Sequence, residues 1–332
     1  MEELLVVEDL VQEFKSRPGI LNLLRHKNGT PFKEQRTVHA VNGVSFTIHA
    51  GETFGLVGES GCGKSTTARS IIRLLDPVSG RVLYRGQDVS RLKGSQLRPY
   101  RKNMQMIFQD PQSSLDPRQK IQDIVMEPML FHNVASDRRD AEDRCMKLLE
   151  RVGLRPEQAG RYPHQFSGGQ RQRVGIARAL AVEPEFIIAD EPVSALDVSI
   201  QAQILNLMMD LKDEFKFSYL FIAHDLSVVR YICDRIAVMY LGAIMEMGTK
   251  AAVFDDPVHP YTRMLFSAVP TIGEAPLVEP MEMTGEIPSP IHLPEGCFFH
   301  ERCPYAGEEC RRCRPGLKEI ESGHFVACHR CG

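Results

Sequence analysis

The sequence predicts an α/β protein organised on a parallel sheet, and three observations lead there. The segment Thr53–Val57 reads as a strand that runs into a glycine-rich turn and then a helix. Phe186–Ala189 and Tyr219–Ala223 are short and apolar throughout, as expected of strands covered on both faces. Each of those two ends in polar residues, Asp190-Glu191 and His224-Asp225, which a parallel sheet would present at one edge. A length of 332 residues, 43% hydrophobic and 25% charged, suits one large domain or two modest ones. With 40 Lys and Arg against 43 Asp and Glu, the net charge of −3 supplies no field for wrapping nucleic acid. No run of about 18 apolar residues exists, and the acidic start MEELLVVEDLVQEF lacks the pattern of a secretory signal. The expectation is a soluble, non-exported chain.

The remaining elements follow in order. Leu4–Leu10 alternates around acidic residues and Ala40–Ile48 looks like a strand. Between them Phe14–Arg36, rich in Lys, Arg, Pro and Gly, reads as a solvated insertion; Ile20, Leu21, Leu23 and Leu24 would also allow a short helix facing a partner or a membrane. After the glycine-rich turn, Ala68, Ile71, Ile72 and Leu75 share one helical face that ends before Pro77. Ser79–Gly80 turns the chain into the strand Arg81–Tyr84. Asp116–Gly153 is polar and mostly helical, with amphipathic spacing over Ala141–Val152. Gln170–Leu180 reads as a helix capped by Ser167. Arg235–Gly248 has the look of a hairpin around Leu241–Gly242. From Pro257 periodicity fades, and Pro270, Pro276, Pro280, Pro288, Pro290 and Pro294 mark a semi-extended strap.

The run Gly58-Glu-Ser60-Gly61-Cys62-Gly63-Lys64-Ser65-Thr66 fits the phosphate-loop pattern, placed between strand and helix as that pattern requires. Its glycines let backbone N–H groups face inward as an anion nest, and the helix N-terminus adds a favourable dipole. Lys64 would meet the β- and γ-phosphates, the Ser65 hydroxyl would ligate Mg²⁺, and Cys62 would be a small spacer. Asp190 at a strand end is suited to the magnesium shell, and Glu191 to orienting and deprotonating a water aimed at the γ-phosphate. His224 would hydrogen-bond that phosphate.

With Phe166-Ser167-Gly168-Gly169-Gln170 in the expected order between phosphate loop and Asp-Glu pair, the sequence resembles the ATP-binding subunits of ABC transporters. Gln109 in QMIFQDP looks like that family's Q-loop glutamine, sharing the magnesium shell with Ser65 and Asp190, and Ser194-Ala195-Leu196-Asp197 looks like its D-loop. The resemblance implies a P-loop NTPase (RecA-like) core with an antiparallel β subdomain and a helical signature subdomain at about 112–182. The nucleotide-binding domain would occupy 1–255, the strap 256–296 and a cysteine-rich tail 297–332. Two such domains would close head to tail, with Ser167, Gly168, Gly169 and Gln170 completing the partner's ATP site. The adenine-stacking position, usually aromatic, falls on His39. GESGCGKST, QMIFQDPQSSLDPR, EPVSALDVSIQAQILNL and His259-Pro260-Tyr261-Thr262 look like oligopeptide/dipeptide importer subunits, closest to oligopeptide permease ATPases of the F type.

Such a subunit would sit on the cytoplasmic face of the membrane, beside two membrane-spanning permease subunits and a related but distinct second ATPase. An extracytoplasmic solute-binding protein would act indirectly. The segment near Ile121–Phe131 is where the family contacts its membrane partners. Nickel importers share much of the pattern. A soluble ABC ATPase acting on nucleic acid would carry two cassettes, a coiled-coil insertion or basic patches, and a regulatory module would bind without turnover. Six of the nine cysteines crowd into the tail. Cys297, Cys303, Cys310 and Cys328 resemble this subfamily's GCxFxxRCP…C…AC pattern, which is associated with a [4Fe–4S] cluster. Read by spacing instead, Cys310/Cys313 and Cys328/Cys331 form two CxxC units suited to zinc, though the 14 residues between them fall below the usual range of about 15–20, and free thiols are the third reading.

Overall fold

Segments that are apolar at every position become strands with no exposed face. The computed structural model describes residues 2–15, 26–27, 30–31, 36–267 and 285–331. In chain order its strands are β1 (Glu3–Lys15), β2 (His26–Lys27), β3 (Thr30–Pro31), β4 (Thr37–His49), β5 (Thr53–Val57), β6 (Ser79–Tyr84), β7 (Gln87–Asp88), β8 (Met104–Ile107), β9 (Phe186–Asp190), β10 (Ser218–Ile222), β11 (Arg235–Tyr240), β12 (Ala243–Thr249), β13 (Lys318–Glu321) and β14 (His324–Val326). Its helices are α1 (Lys64–Ile71), α2 (Arg98–Asn103), α3 (Ile121–Phe131), α4 (Arg138–Arg151), α5 (Gly168–Leu180), α6 (Val198–Phe215), α7 (Leu226–Ile232), α8 (Lys250–Asp255), α9 (Pro260–Ser267) and α10 (Glu308–Arg312). The chain divides into two compact units that interleave along the sequence: Met1–Leu5, Thr47–Val57 and Leu83–Ile236 form the first, and Val6–Phe46, Gly58–Val82 and Ala237–Gly332 the second.

In the first unit β5, β10, β9 and β8 lie side by side as a parallel sheet. Every residue of β5, β9 and β10 is buried, which Val, Ile, Leu and Phe on both faces favour through the area they remove from water. The register pairs Tyr219 with Thr53, Ile222 with Asp190 and Ile107 with Ala189. Helices α3, α4 and α5 pack on one another, and α5 also packs on α6 and β8. The N-terminus of α4 is secured by Asp137, which accepts from Asp140 N–H at 2.9 Å. The pattern of Ile204, Leu205, Met208 and Leu211 directs one face of α6 inward.

In the second unit β4, β1 and β6 are neighbours. β11 and β12 form the expected hairpin, with Leu241 and Gly242 at φ 43° and 78°. Both positive values fit a two-residue turn whose twist matches the strands. β14 adds antiparallel to β12 (Glu246 opposite Val326) and β13 to β14. The strap needs correction at its start: Pro260–Ser267 is the helix α9, with Tyr261, Met264 and Phe266 buried. Proline at the first helical position lacks only an N–H that would be unpaired there anyway. Pro270, Pro276 and Pro280 lie outside the described residues, as do Ile20, Leu21, Leu23 and Leu24 of the insertion. The strap's far end is tied down where His39 N–H donates to Pro290 O at 2.9 Å.

Candidate functional site

Parallel pairing brings the first group of side chains to one edge. β8, β9 and β10 end level, so Gln109, Glu191 and His224 emerge together just beyond them. Gln109 Nε2 donates to Glu191 Oε2 at 2.7 Å, and His224 Nδ1 stands 3.3 Å from the same oxygen. The Glu191 side chain is 16% exposed and that of His224 57%, so a shielded carboxylate faces an accessible imidazole. Glu191 adopts φ 46°, the left-handed region that side chains disfavour. Its N–H donates to Ile222 O at 3.0 Å and its carbonyl accepts from Ser194 Oγ at 3.0 Å. Those bonds hold the strained residue in place and aim its carboxylate off the sheet edge. Asp190, the last residue of β9, is fully buried.

The phosphate-loop residues fold in the second unit. Gly58, Gly61 and Gly63 have φ 149°, 80° and 107°. A Cβ at Gly58 would stand 2.1 Å from Met239 O, and one at Gly63 2.2 Å from Ala40 O, so neither position admits a side chain. Gly63 leads into α1, whose first residue is Lys64. The buried Lys64 Nζ donates to Gly58 O at 2.7 Å and Glu59 O at 3.1 Å, which holds the ammonium inside the loop. Burial pushes the Cys62 thiol up, with Lys64 opposing, so Cys62 is a protonated filler. Ser60 and Gly61 are exposed; Ser65 and Thr66 are half-buried at the head of α1. His39 is half-buried on β4, its Nδ1 3.0 Å from Glu13 Oε1.

Ser167 begins α5 with a reciprocal cap: its Oγ accepts from Gln170 N–H at 3.3 Å and Gln170 Oε1 accepts from Ser167 N–H at 3.0 Å. Ser167 and Gly168 are exposed. A Cβ at Gly169 would come within 2.5 Å of Ile200 Cγ2, and one at Gly168 within 3.3 Å of Leu196 Cδ2. The glycine pair therefore fits against the loop that carries Asp197, itself exposed just before α6, and against the first turn of α6. Gln201, which sequence reasoning missed, braces that loop by donating to Val193 O at 3.1 Å and Leu196 O at 2.9 Å. Arg302 was missed too, and Tyr261 was noted only within the His259–Thr262 segment with no role at the site, although both reach Glu59 of the phosphate loop. No local spacing signals contacts between residues so far apart in sequence.

Cys297, Cys303, Cys310 and Cys328 line one small cavity together with His259, His300 and His329. All are free thiols, and Cys297 is pushed up to about 11 by burial and its three neighbouring thiols. Cys313 is exposed, and neither it nor Cys331 lines that cavity. Among the described residues no three His, Cys, Asp or Glu side chains converge tightly enough to hold a single metal ion. Four sulfurs around a cavity are a donor set that an iron–sulfur cluster could take; of the paired CxxC set, Cys310 and Cys328 line the same cavity and Cys331 hydrogen-bonds to Cys328, whereas Cys313 is exposed. The hydroxyl, amide and carboxylate oxygens of Ser65, Gln109 and Asp190 are hard donors of the kind Mg²⁺ takes.

Comparison with known proteins places the chain. Residues 41–194 match the family model for "ABC transporter", and residues 245–310 that for "Oligopeptide/dipeptide transporter, C-terminal region". The chain is 52% identical over 331 residues to the oligopeptide transport ATP-binding protein AppF of Bacillus subtilis, covering 99% of this chain and 97% of the relative. It is 47% identical to the di/tripeptide transport ATP-binding protein DppF of Pseudomonas aeruginosa, over 99% and 98% of the two chains. Among solved structures, the dimeric post-hydrolysis state of the ATP-binding cassette MJ0796 bound to ADP and Pi is similar with TM-score 0.63 and 27% identity, over 74% of this chain and 99% of that one. The cbiO1 subunit of the cbiONQ transporter of Clostridium perfringens matches with TM-score 0.62 and 26% identity, over 77% and 92%.

Proposed function

The chain belongs to the ATP-binding subunits of ABC transporters, in the oligopeptide/dipeptide branch, and from that membership we propose how its residues divide the work. It hydrolyses ATP to power the import of oligopeptides or dipeptides. The backbone N–H groups and Lys64 of the loop from Gly58 to Thr66 bind the phosphates, and His39 borders the adenine. Ser65, Gln109 and Asp190 hold Mg²⁺, which when bound offsets charge on the phosphates. Glu191 takes the proton of a water aimed at the γ-phosphate, and Gln109 holds its carboxylate in position. His224 donates to the γ-phosphate. Ser167, Gly168, Gly169 and Gln170 face the ATP of a second cassette, with Asp197 beside them. ATP draws the two cassettes together and its hydrolysis releases them. The observation that carries this division is the Glu191 carboxylate, bonded to Gln109 and facing His224 at the edge where three buried strands end.

The cassette works with membrane-spanning permease subunits from the cytoplasmic face, paired with a related second ATPase and served by an extracytoplasmic solute-binding protein. Among the described residues no helix is long and apolar enough to cross a membrane, which fits a peripheral subunit. Cys297, Cys303, Cys310 and Cys328 hold a [4Fe–4S] cluster. When bound, such a cluster cross-links the tail and supplies folding energy its sparse apolar content lacks. The four thiols around one cavity support this set over zinc. The test is isolation of the intact complex from membranes, followed by ATP turnover across a panel of peptides and metal ions. Stimulation by short peptides is expected. Stimulation by nickel alone, or no associated membrane subunits, would reject the assignment.

A further inference from the structure

Glu59 puts a carboxylate into a loop built to attract anions. Left alone, that charge would repel a polyphosphate. It is not left alone. Arg302, far along the chain, grips it with both guanidinium nitrogens, Nη1 to Oε2 at 2.8 Å and Nη2 to Oε1 at 3.1 Å. The arginine side chain is 4% exposed and the glutamate 18%, so solvent screens the pair poorly. The guanidinium is fixed in turn, with Tyr240 and Phe299 rings 5.7 and 5.9 Å from its carbon and Met264 Sδ 4.0 Å from Nη2. A second pin lies beside it, where Glu59 N–H donates to Tyr261 Oη at 3.0 Å. Tyr261 packs against Tyr240 and Phe299 in turn.

We propose that Arg302 is a positioning residue for ATP binding, neutralising Glu59 and turning its carboxylate away from the phosphates, so that the C-terminal segment sets the affinity of the loop. This rests on the assignment of that loop to ATP. The effect is electrostatic and local. Without Arg302 the free carboxylate competes with the phosphates for Lys64 and for the inward N–H groups. A loop that keeps its binding arrangement about one tenth of the time would bind about tenfold more weakly.

The full-length protein is titrated with a fluorescent ATP analogue at low and moderate salt, alongside Lys64→Ala, Arg302→Ala, Glu59→Gln and the double variant Glu59→Gln/Arg302→Ala. Arg302→Ala should weaken binding about tenfold, and less at higher salt, because an exposed carboxylate is then screened. In turnover the same change should raise KM with kcat nearly unaltered. Removing the carboxylate in the double variant should restore binding to within about threefold of the parent. A merely structural arginine gives no such rescue. If Arg302→Ala fails to fold, Arg302→Gln, which still offers an amide N–H to Glu59, carries the same comparison. Parental affinity in a folded Arg302 variant would overturn the proposal, and so would a double variant as weak as the single one. The Lys64→Ala arm separates the two claims: if it binds like the parent, the loop assignment itself fails, whereas lost binding there with no effect at Arg302 sinks only the proposal.

Discussion

Glu191→Gln should separate ATP binding from turnover, and the structure sets the scale of both effects. The substitution is nearly isosteric and leaves a non-glycine residue at φ 46°, so the local strain is unchanged. The new amide oxygen still accepts from Gln109 Nε2, at 2.7 Å in the parent, but as a neutral hydrogen bond. That change costs about 1 kcal/mol, small beside a fold's net stability of about 5–15 kcal/mol. The kinetic loss lies on another scale. A positioned general base contributes about 10²–10⁴-fold, or about 3–5 kcal/mol of barrier. Phosphate release and equilibrium ATP binding are measured on one preparation, with gel filtration in ATP to follow pairing of cassettes. We expect kcat to fall by about 10²–10⁴-fold while the ATP Kd stays within about threefold. Closed pairs should accumulate in ATP. Turnover within about threefold of the parent would refute the role given to Glu191.

Lys64→Ala removes the cation held inside the phosphate loop and should weaken ATP binding about 10–100-fold, the scale of a lost charge-assisted hydrogen bond; unchanged affinity in a nucleotide titration contradicts the assignment. Protein isolated without oxygen should contain iron and acid-labile sulfide, both lost in Cys303→Ser and retained in Cys313→Ser. Zinc without iron in metal analysis would select the other cysteine set. His259 is fully buried and its imidazole is held down to about 4, chiefly by burial, with its Nδ1 accepting from Tyr261 N–H at 3.0 Å. The unfolded chain, at about 6.5, therefore binds the extra proton first as pH falls, and stability drops between about pH 6.5 and 4 by up to about 3 kcal/mol. His259→Asn keeps an acceptor for Tyr261 and should flatten that slope in urea melts; an unchanged slope would show that other groups set it.

What could be read from the sequence was whatever is written locally. β5, β9 and β10 announce themselves because burial on both faces demands uninterrupted apolar runs. The cap at Ser167 and the hairpin turn at Leu241-Gly242 rest on contacts within a few residues. β8 was missed because Met104-Gln-Met-Ile lacks the β-branched run that marks a strand, and becomes one by pairing with β9. The strap was read from proline spacing, which hid the inward Tyr261, Met264 and Phe266 of α9. At the site, residue types and order were legible, but the left-handed backbone of Glu191 and its bond to Gln109 were not. Those depend on where separate strands end. Gln201, Tyr261 and Arg302 act on residues 5 to 243 positions away, and only the last two need the chain to fold back on itself from its C-terminal third.

The close fit between Gly169 and Ile200 gives the protomer a mechanical coupling. Ile200 follows the loop that begins at Glu191, and Ser194 and Gln201 stiffen that loop from inside. If the roles proposed for Glu191 and for the Ser167–Gln170 run hold, a base for one ATP and a contact surface for another would share this one braced loop. A shift at one end, as the γ-phosphate departs, would then be felt at the other. In a pair of such subunits the two nucleotides would not be consumed independently, and a bulky side chain at residue 169 would disturb both halves at once.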